Sequence, residues 1–127
     1  MAETTRSPAV LVVEDEVLIR MSIADSIEEA GFMVYEAANA DQAIGMLELH
    51  QDIGVLFTDI DMPGSMDGLR LAAAVRHRWP PVKIIITSGH VKIRQEELPV
   101  DGRFFAKPYD SAKVISTVRS LVGPERR

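Results

Sequence analysis

Cysteine is absent from this chain. That excludes disulfides and thiolate metal sites, and it is compatible with a reducing cytoplasm, where the chain is expected to reside. No run of about 18 apolar residues occurs, so no membrane span is expected. Residues 1–8 are polar and lack the apolar stretch of a signal peptide; they are expected to form a flexible leader. An excess of basic charge is also missing. The 14 Lys and Arg residues are outnumbered by 19 Asp and Glu, a formal net charge of −5. Nonspecific nucleic-acid binding needs a basic footprint, so no direct DNA binding is expected. Internal repeats, low-complexity segments and a second-domain boundary are lacking as well. What remains is a 127-residue chain, 46% apolar, which fits one domain with a real core.

Short apolar runs alternate with segments of helical period, the pattern of a parallel α/β sheet. Ile19, Ile23 and Ile27 mark one face of a helix over residues 17–30, with Gly31 as its C-terminal stop. Residues 32–36 read as a second strand, with Phe32, Val34 and Ala37 on one side. Asn39 is placed to cap a helix running to about residue 50, with Ala43, Ile44 and Leu47 inward. A loop containing Pro63, Gly64 and Gly68 precedes a helix over residues 69–79, which must stop before Pro80-Pro81. Residues 90–98 are charged, short and cut off by Pro99. Asp110 caps a last helix with Val114, Val118 and Leu121 inward, ended by Gly123-Pro124. Five strands and five helices account for nearly the whole chain.

Four of the apolar runs end in a polar residue suited to phosphoryl chemistry. Ala9-Val10-Leu11-Val12-Val13 leads to Glu14-Asp15, and Ile53-Gly54-Val55-Leu56-Phe57-Thr58 leads to Asp59. Val82-Lys83-Ile84-Ile85-Ile86 leads to Thr87, and Arg103-Phe104-Phe105-Ala106 leads to Lys107. As parallel strands of one sheet, these runs place all four ends along the edge where open α/β sheets bind ligands. Clustered carboxylates resist ionising together, and a Mg²⁺ ion with oxygen ligands relieves that repulsion. Asp59 is a candidate nucleophile for an aspartyl-phosphate. A Thr87 or Ser88 hydroxyl can donate to a phosphoryl oxygen, and the Lys107 ammonium can bridge Asp59 and that group. Each piece also has a plainer reading: acids capping helices, Asp in a turn, hydroxyls starting a turn. It is the combination that favours a site. His50, His77 and His90 show no metal-ligand spacing and read as surface residues. Trp79 reads as a helix-end packing residue.

The set Val12-Val13-Glu14-Asp15-Glu16, Thr58-Asp59-Ile60-Asp61-Met62-Pro63, Asp67-Gly68, Thr87-Ser88-Gly89 and Lys107-Pro108-Tyr109 resembles the receiver domain of two-component response regulators (CheY-like). The resemblance covers residues 9–122, leaving 123–127 as a C-terminal tail. It implies a flavodoxin-like (βα)5 three-layer sandwich with strand order 2-1-3-4-5. It implies that Asp59 accepts a phosphoryl group from the phosphohistidine of a sensor histidine kinase or histidine phosphotransferase. Asp15, Asp59 and the main-chain carbonyl of Asp61 would bind Mg²⁺ directly, with Glu14 acting through a metal-bound water. Lys107 would contact the phosphoryl group. Thr87 would swing in to hydrogen-bond it, and Phe104 would turn inward behind Thr87 as the switch aromatic. A changed surface would then be read by a downstream protein target. The Lys107–Pro108 bond is expected to be cis. Such a chain is a phosphoacceptor, not a turnover enzyme, here expected to stand alone.

The chain departs from the family pattern in places. Glu14 stands where Asp is usual, and residues 63–67 run one residue longer. The interval from Thr87 to Lys107 is about two residues shorter and contains Pro99. Phe104 lacks a hydroxyl, so a switch there works by burial. Asp61 adds a charge beside the site. Two other readings compete. One is a receiver-like binding module that is never phosphorylated. The other is a phosphatase, since Leu56-Phe57-Thr58-Asp59-Ile60-Asp61 also resembles the Asp-x-Asp motif of haloacid-dehalogenase-type enzymes.

Overall fold

The computed structural model describes residues 8–62, 64, 66–89 and 102–123. Five strands form one parallel sheet: β1 (Ala9–Val13), β2 (Val34–Ala37), β3 (Ile53–Asp59), β4 (Lys83–Ser88) and β5 (Arg103–Ala106). Their spatial order is β2-β1-β3-β4-β5, as expected for a flavodoxin-like fold. Among the described residues four helices connect them: α1 (Val17–Glu29), α2 (Ala40–Leu49), α3 (Gly68–Arg78) and α4 (Ser111–Val122). The segment 90–98 and residues 1–7 and 124–127 lie outside the described residues. None of the described helices is long and apolar enough to cross a membrane.

Strand alternation divides the core into two layers. Leu11, Val13, Leu56, Ile84 and Ile86 pack with Ala43 and Leu47 of α2 and with Leu71 and Val75 of α3. Val10, Val12, Val55, Phe57 and Ile85 face the other way, onto Ile23 and Ile27 of α1 and Val114 and Val118 of α4. The central strands are buried on both faces, which explains their near-continuous apolar runs. Each large side chain so buried contributes about 1.5–3 kcal/mol.

The local signals act where they were read. Asn39 and Asp110 cap α2 and α4, accepting from the N–H groups of Gln42 and Ala112, and Asp67, a cap the sequence reading did not name, does the same for α3 through the Arg70 N–H. Ala30 is the C-cap of α1, and Gly31 follows it at φ +102°, a conformation glycine tolerates without steric cost. Trp79 closes α3, with the Arg78 guanidinium 4.3 Å from its ring centre. One reading is corrected. Phe32 and Val34 belong to the α1/α4 layer, but Ala37 packs in the α2/α3 layer. An odd spacing along a strand changes face.

Candidate functional site

The carboxyl edge of the sheet brings together residues far apart in sequence. β1 runs into Glu14, whose N–H donates to the Ala37 carbonyl at the end of β2 (3.0 Å). Asp59 closes β3 and is in register with Thr87 of β4. Lys107 directly follows β5 and donates its N–H to the Ser88 carbonyl (2.9 Å). The Lys107–Pro108 peptide bond is cis. The topology therefore sets acids, hydroxyl and ammonium side by side.

Lys107 Nζ lies 3.0 Å from Glu14 Oε1 and 3.2 Å from Asp59 Oδ2. Glu14 Oε2 accepts from the Glu16 N–H at 3.1 Å. Glu14, Asp15 and Asp59 each offer a carboxylate oxygen, and these lie within 4.8 Å of one another. Glu14 is only 1% exposed and Asp59 2%. Two buried oxygens, Asp59 Oδ1 and Thr87 Oγ1, have no hydrogen-bond partner among the described residues. A buried unpaired polar atom is costly, and the exception calls for a role.

The electrostatics follow from this crowding. Burial raises the Glu14 carboxyl above its ordinary value, and the nearby Asp59 charge adds to the rise despite opposing hydrogen bonds from the Glu16 amide and Lys107. Burial also raises Asp59, against the opposing pull of Lys107. Burial alone disfavours the Lys107 ammonium, but Glu14 and Asp59 outweigh it and hold the amine above the usual lysine value. Tyr109, packed edge-on against Phe57, is pushed up to about 12 by burial and by the Glu14 charge. The site is thus short of positive charge. Three hard oxygen donors with one buried oxygen unpartnered fit a small divalent cation such as Mg²⁺.

Of the residues singled out from sequence, Glu14, Asp15, Asp59 and Lys107 converge, and Thr87 stands beside them. The Asp61 carboxylate is not part of the acid cluster; it accepts from Ser88 Oγ at 3.1 Å. Phe104 is half-buried on β5 against the α2/α3 layer, in register with Ile86. Arg20 escaped notice in the sequence. Its guanidinium donates to the Glu14 main-chain carbonyl, and an arginine on a helix carries no local mark of such a bond. A cavity of about 630 Å³ adjoins the site, lined by Leu18, Ile19 and Ser22 of α1 and by Lys107, Pro108 and Tyr109.

Residues 10–119 match the family model described as the response regulator receiver domain. The sensor kinase CckA of Brucella abortus (strain 2308) is 32% identical over 120 residues, covering 91% of this chain and 13% of that protein. The C4-dicarboxylate transport transcriptional regulatory protein DctD of Rhizobium meliloti (strain 1021) is 31% identical over 116 residues, covering 89% of this chain and 25% of its own length. This chain therefore spans a quarter or less of either relative. Among solved structures, a response regulator receiver protein from Sinorhizobium medicae WSM419 superposes with a TM-score of 0.83 at 27% identity, covering 91% of this chain and 94% of that one.

Proposed function

The chain belongs to the response regulator receiver domain family of two-component signalling, and from that premise we propose that Asp59 is its phosphoacceptor. The observation that carries this reading is the state of Asp59. One oxygen is held by Lys107 at 3.2 Å, while the other is buried and unpartnered among the described residues. A carboxylate oxygen with no hydrogen bond to break is available as a nucleophile.

In the proposed step a carboxylate oxygen of Asp59 attacks the phosphorus of a phosphohistidine on a sensor kinase or histidine phosphotransferase. The P–N bond breaks, its electron pair returns to the imidazole nitrogen, and that ring takes up a proton. The product is an aspartyl-phosphate. Asp15, Asp59 and the main-chain carbonyl of Asp61 would hold Mg²⁺, with Glu14 reaching it through a water. When bound, the ion supplies positive charge to the phosphoryl oxygens. Lys107 neutralises part of the charge on Asp59 and is placed to contact the transferred group. Thr87 has a buried hydroxyl with no partner among the described residues, and the phosphoryl group would give it an acceptor. Its movement would open room for Phe104 to turn inward and so alter the surface offered to a downstream protein.

The family match over residues 10–119 favours neither a phosphatase nor a receiver-like module that is never phosphorylated. Receiver domains are signalling domains, and this one is proposed to be a cytoplasmic phosphoacceptor without multiple turnover. Intact mass after incubation with Mg²⁺ and a small phosphodonor tests the assignment. One added phosphoryl group on the wild type and none on Asp59→Asn is expected. An equal adduct on both proteins would remove Asp59 from the role.

A further inference from the structure

Arg20 sits in the first turn of α1, beside the acidic loop. Its Nη1 donates to the main-chain carbonyl of Glu14 at 2.8 Å. Its Nε donates to Glu36 Oε1 on β2 at 3.2 Å. The Arg20 side chain is only 17% exposed, so the fork is packed against the protein and not waving in solvent. One planar group therefore ties the turn after β1 to the neighbouring strand.

The consequence runs through peptide geometry. The Glu14 carbonyl and the Asp15 N–H belong to one rigid plane. Fixing that carbonyl fixes the plane and so the direction in which the Asp15 side chain leaves the backbone. Glu14 is already held at its other polar groups, by Ala37, Lys107 and the Glu16 amide. Asp15 is different: among the described residues no donor is bonded to its carboxylate. Its approach to Glu14 and Asp59 rests on the backbone that carries it.

We propose that Arg20 is a positioning residue for the cation pocket: it locks the Glu14–Asp15 peptide so that the Asp15 carboxylate faces Asp59. Arg20 touches neither the cation nor the phosphoryl group, and Glu36 serves as its outer anchor. This inference rests on the metal-assisted phosphoacceptor reading above.

Arg20→Lys separates geometry from charge, because lysine keeps the positive charge but lacks the planar fork. The test is calorimetric titration of the full chain with MgCl₂, beside the rate of Asp59 phosphorylation at saturating Mg²⁺ and the melting temperature without it. Arg20→Lys should weaken Mg²⁺ binding roughly tenfold, the low end for loss of a group that orients metal ligands. Saturating Mg²⁺ should restore the phosphorylation rate, which a direct part in the chemistry would not allow. Glu36→Gln, altering a more exposed anchor, should weaken binding in the same direction by less, and the double variant should be no worse than Arg20→Lys alone. Unchanged Mg²⁺ affinity in folded Arg20→Lys, or in Glu36→Gln should Arg20→Lys not fold, overturns the Arg20 role. If the wild type itself neither binds Mg²⁺ nor takes up a phosphoryl group, the phosphoacceptor reading fails and this inference with it.

Discussion

Asp59 is buried, and burial strains it electrostatically. Burial raises the carboxyls of both Asp59 and Glu14, so the folded state holds their protons more tightly than the unfolded chain does. By linkage, these two groups cost nothing at a pH below their ordinary values of 3.8 and 4.5. The penalty grows as pH rises toward the raised values and stays in full above them. Lys107, held above 10.5, acts oppositely: its contribution is present at neutral pH and is lost as pH rises through its folded value. Asp59→Asn without Mg²⁺ should therefore be more stable than wild type at pH 7, by about 1 kcal/mol, the scale of an ordinary stabilising substitution. The advantage should shrink as pH falls through the raised folded value toward 3.8 and should be gone below it. Urea melts at several pH values check this, and a constant difference across pH would contradict it. Gly68 is a second demanding position. A Cβ there would run into the main-chain carbonyl of Asp59 and into Ile60, so backbone must shift. Gly68→Ala should cost about 1–3 kcal/mol in chemical denaturation, the range for overpacking, and should slow phosphorylation by displacing Asp59.

Each element's legibility depended on how much of its burial was local. β1, β3 and β4 are buried on both faces, so their apolar runs announce them. The strand ends likewise make the convergence legible, because parallel topology brings Glu14, Asp59, Thr87 and Lys107 to one edge. The caps at Asn39 and Asp110 are legible because capping is a contact between near neighbours. β2 was harder: an edge strand of four residues with one buried member gives little alternation to read, and Ala37 was assigned to the wrong face. Distant contacts that do not fall at strand ends are not legible. Arg20 with Glu36, and Ser88 with Asp61, join residues 16 and 27 apart through side chains that look like any solvated pair. α1 also turns apolar residues outward. Val17, Leu18 and Met21 are at least half exposed, and Leu18 lines the cavity that reaches Lys107. Exposed apolar surface beside the proposed phosphoacceptor favours contact with a donor protein. Leu18→Asp should slow transfer from a phosphohistidine protein, measured by loss of label from the donor, while leaving phosphorylation by a small phosphodonor unchanged. Equal slowing with both donors would place the defect in the site and not in docking.

For the whole molecule, cation binding at the acid cluster would be a stability term. Glu14, Asp15 and Asp59 converge only when β1 and β3 are paired, so the unfolded chain has no comparable site. A ligand bound to the folded state alone stabilises by mass action: Mg²⁺ at a hundred times its dissociation constant should add about 2.7 kcal/mol. For a domain of this size that raises the melting temperature by on the order of 10 °C. The net charge of −5 offers a competing explanation, since any salt screens self-repulsion. Two comparisons separate them. NaCl at matched ionic strength should reproduce little of the shift, because screening acts on exposed charges and Glu14 and Asp59 are buried. Asp15→Asn should lose most of the Mg²⁺ response while keeping the NaCl response, because it removes a ligand and changes the net charge by only one. A melting temperature that rises equally with Mg²⁺ in wild type and Asp15→Asn would mean that the ion acts on the surface as a whole, and the carboxylates at the sheet edge would then have to be read as a repulsive cluster relieved by Lys107 alone.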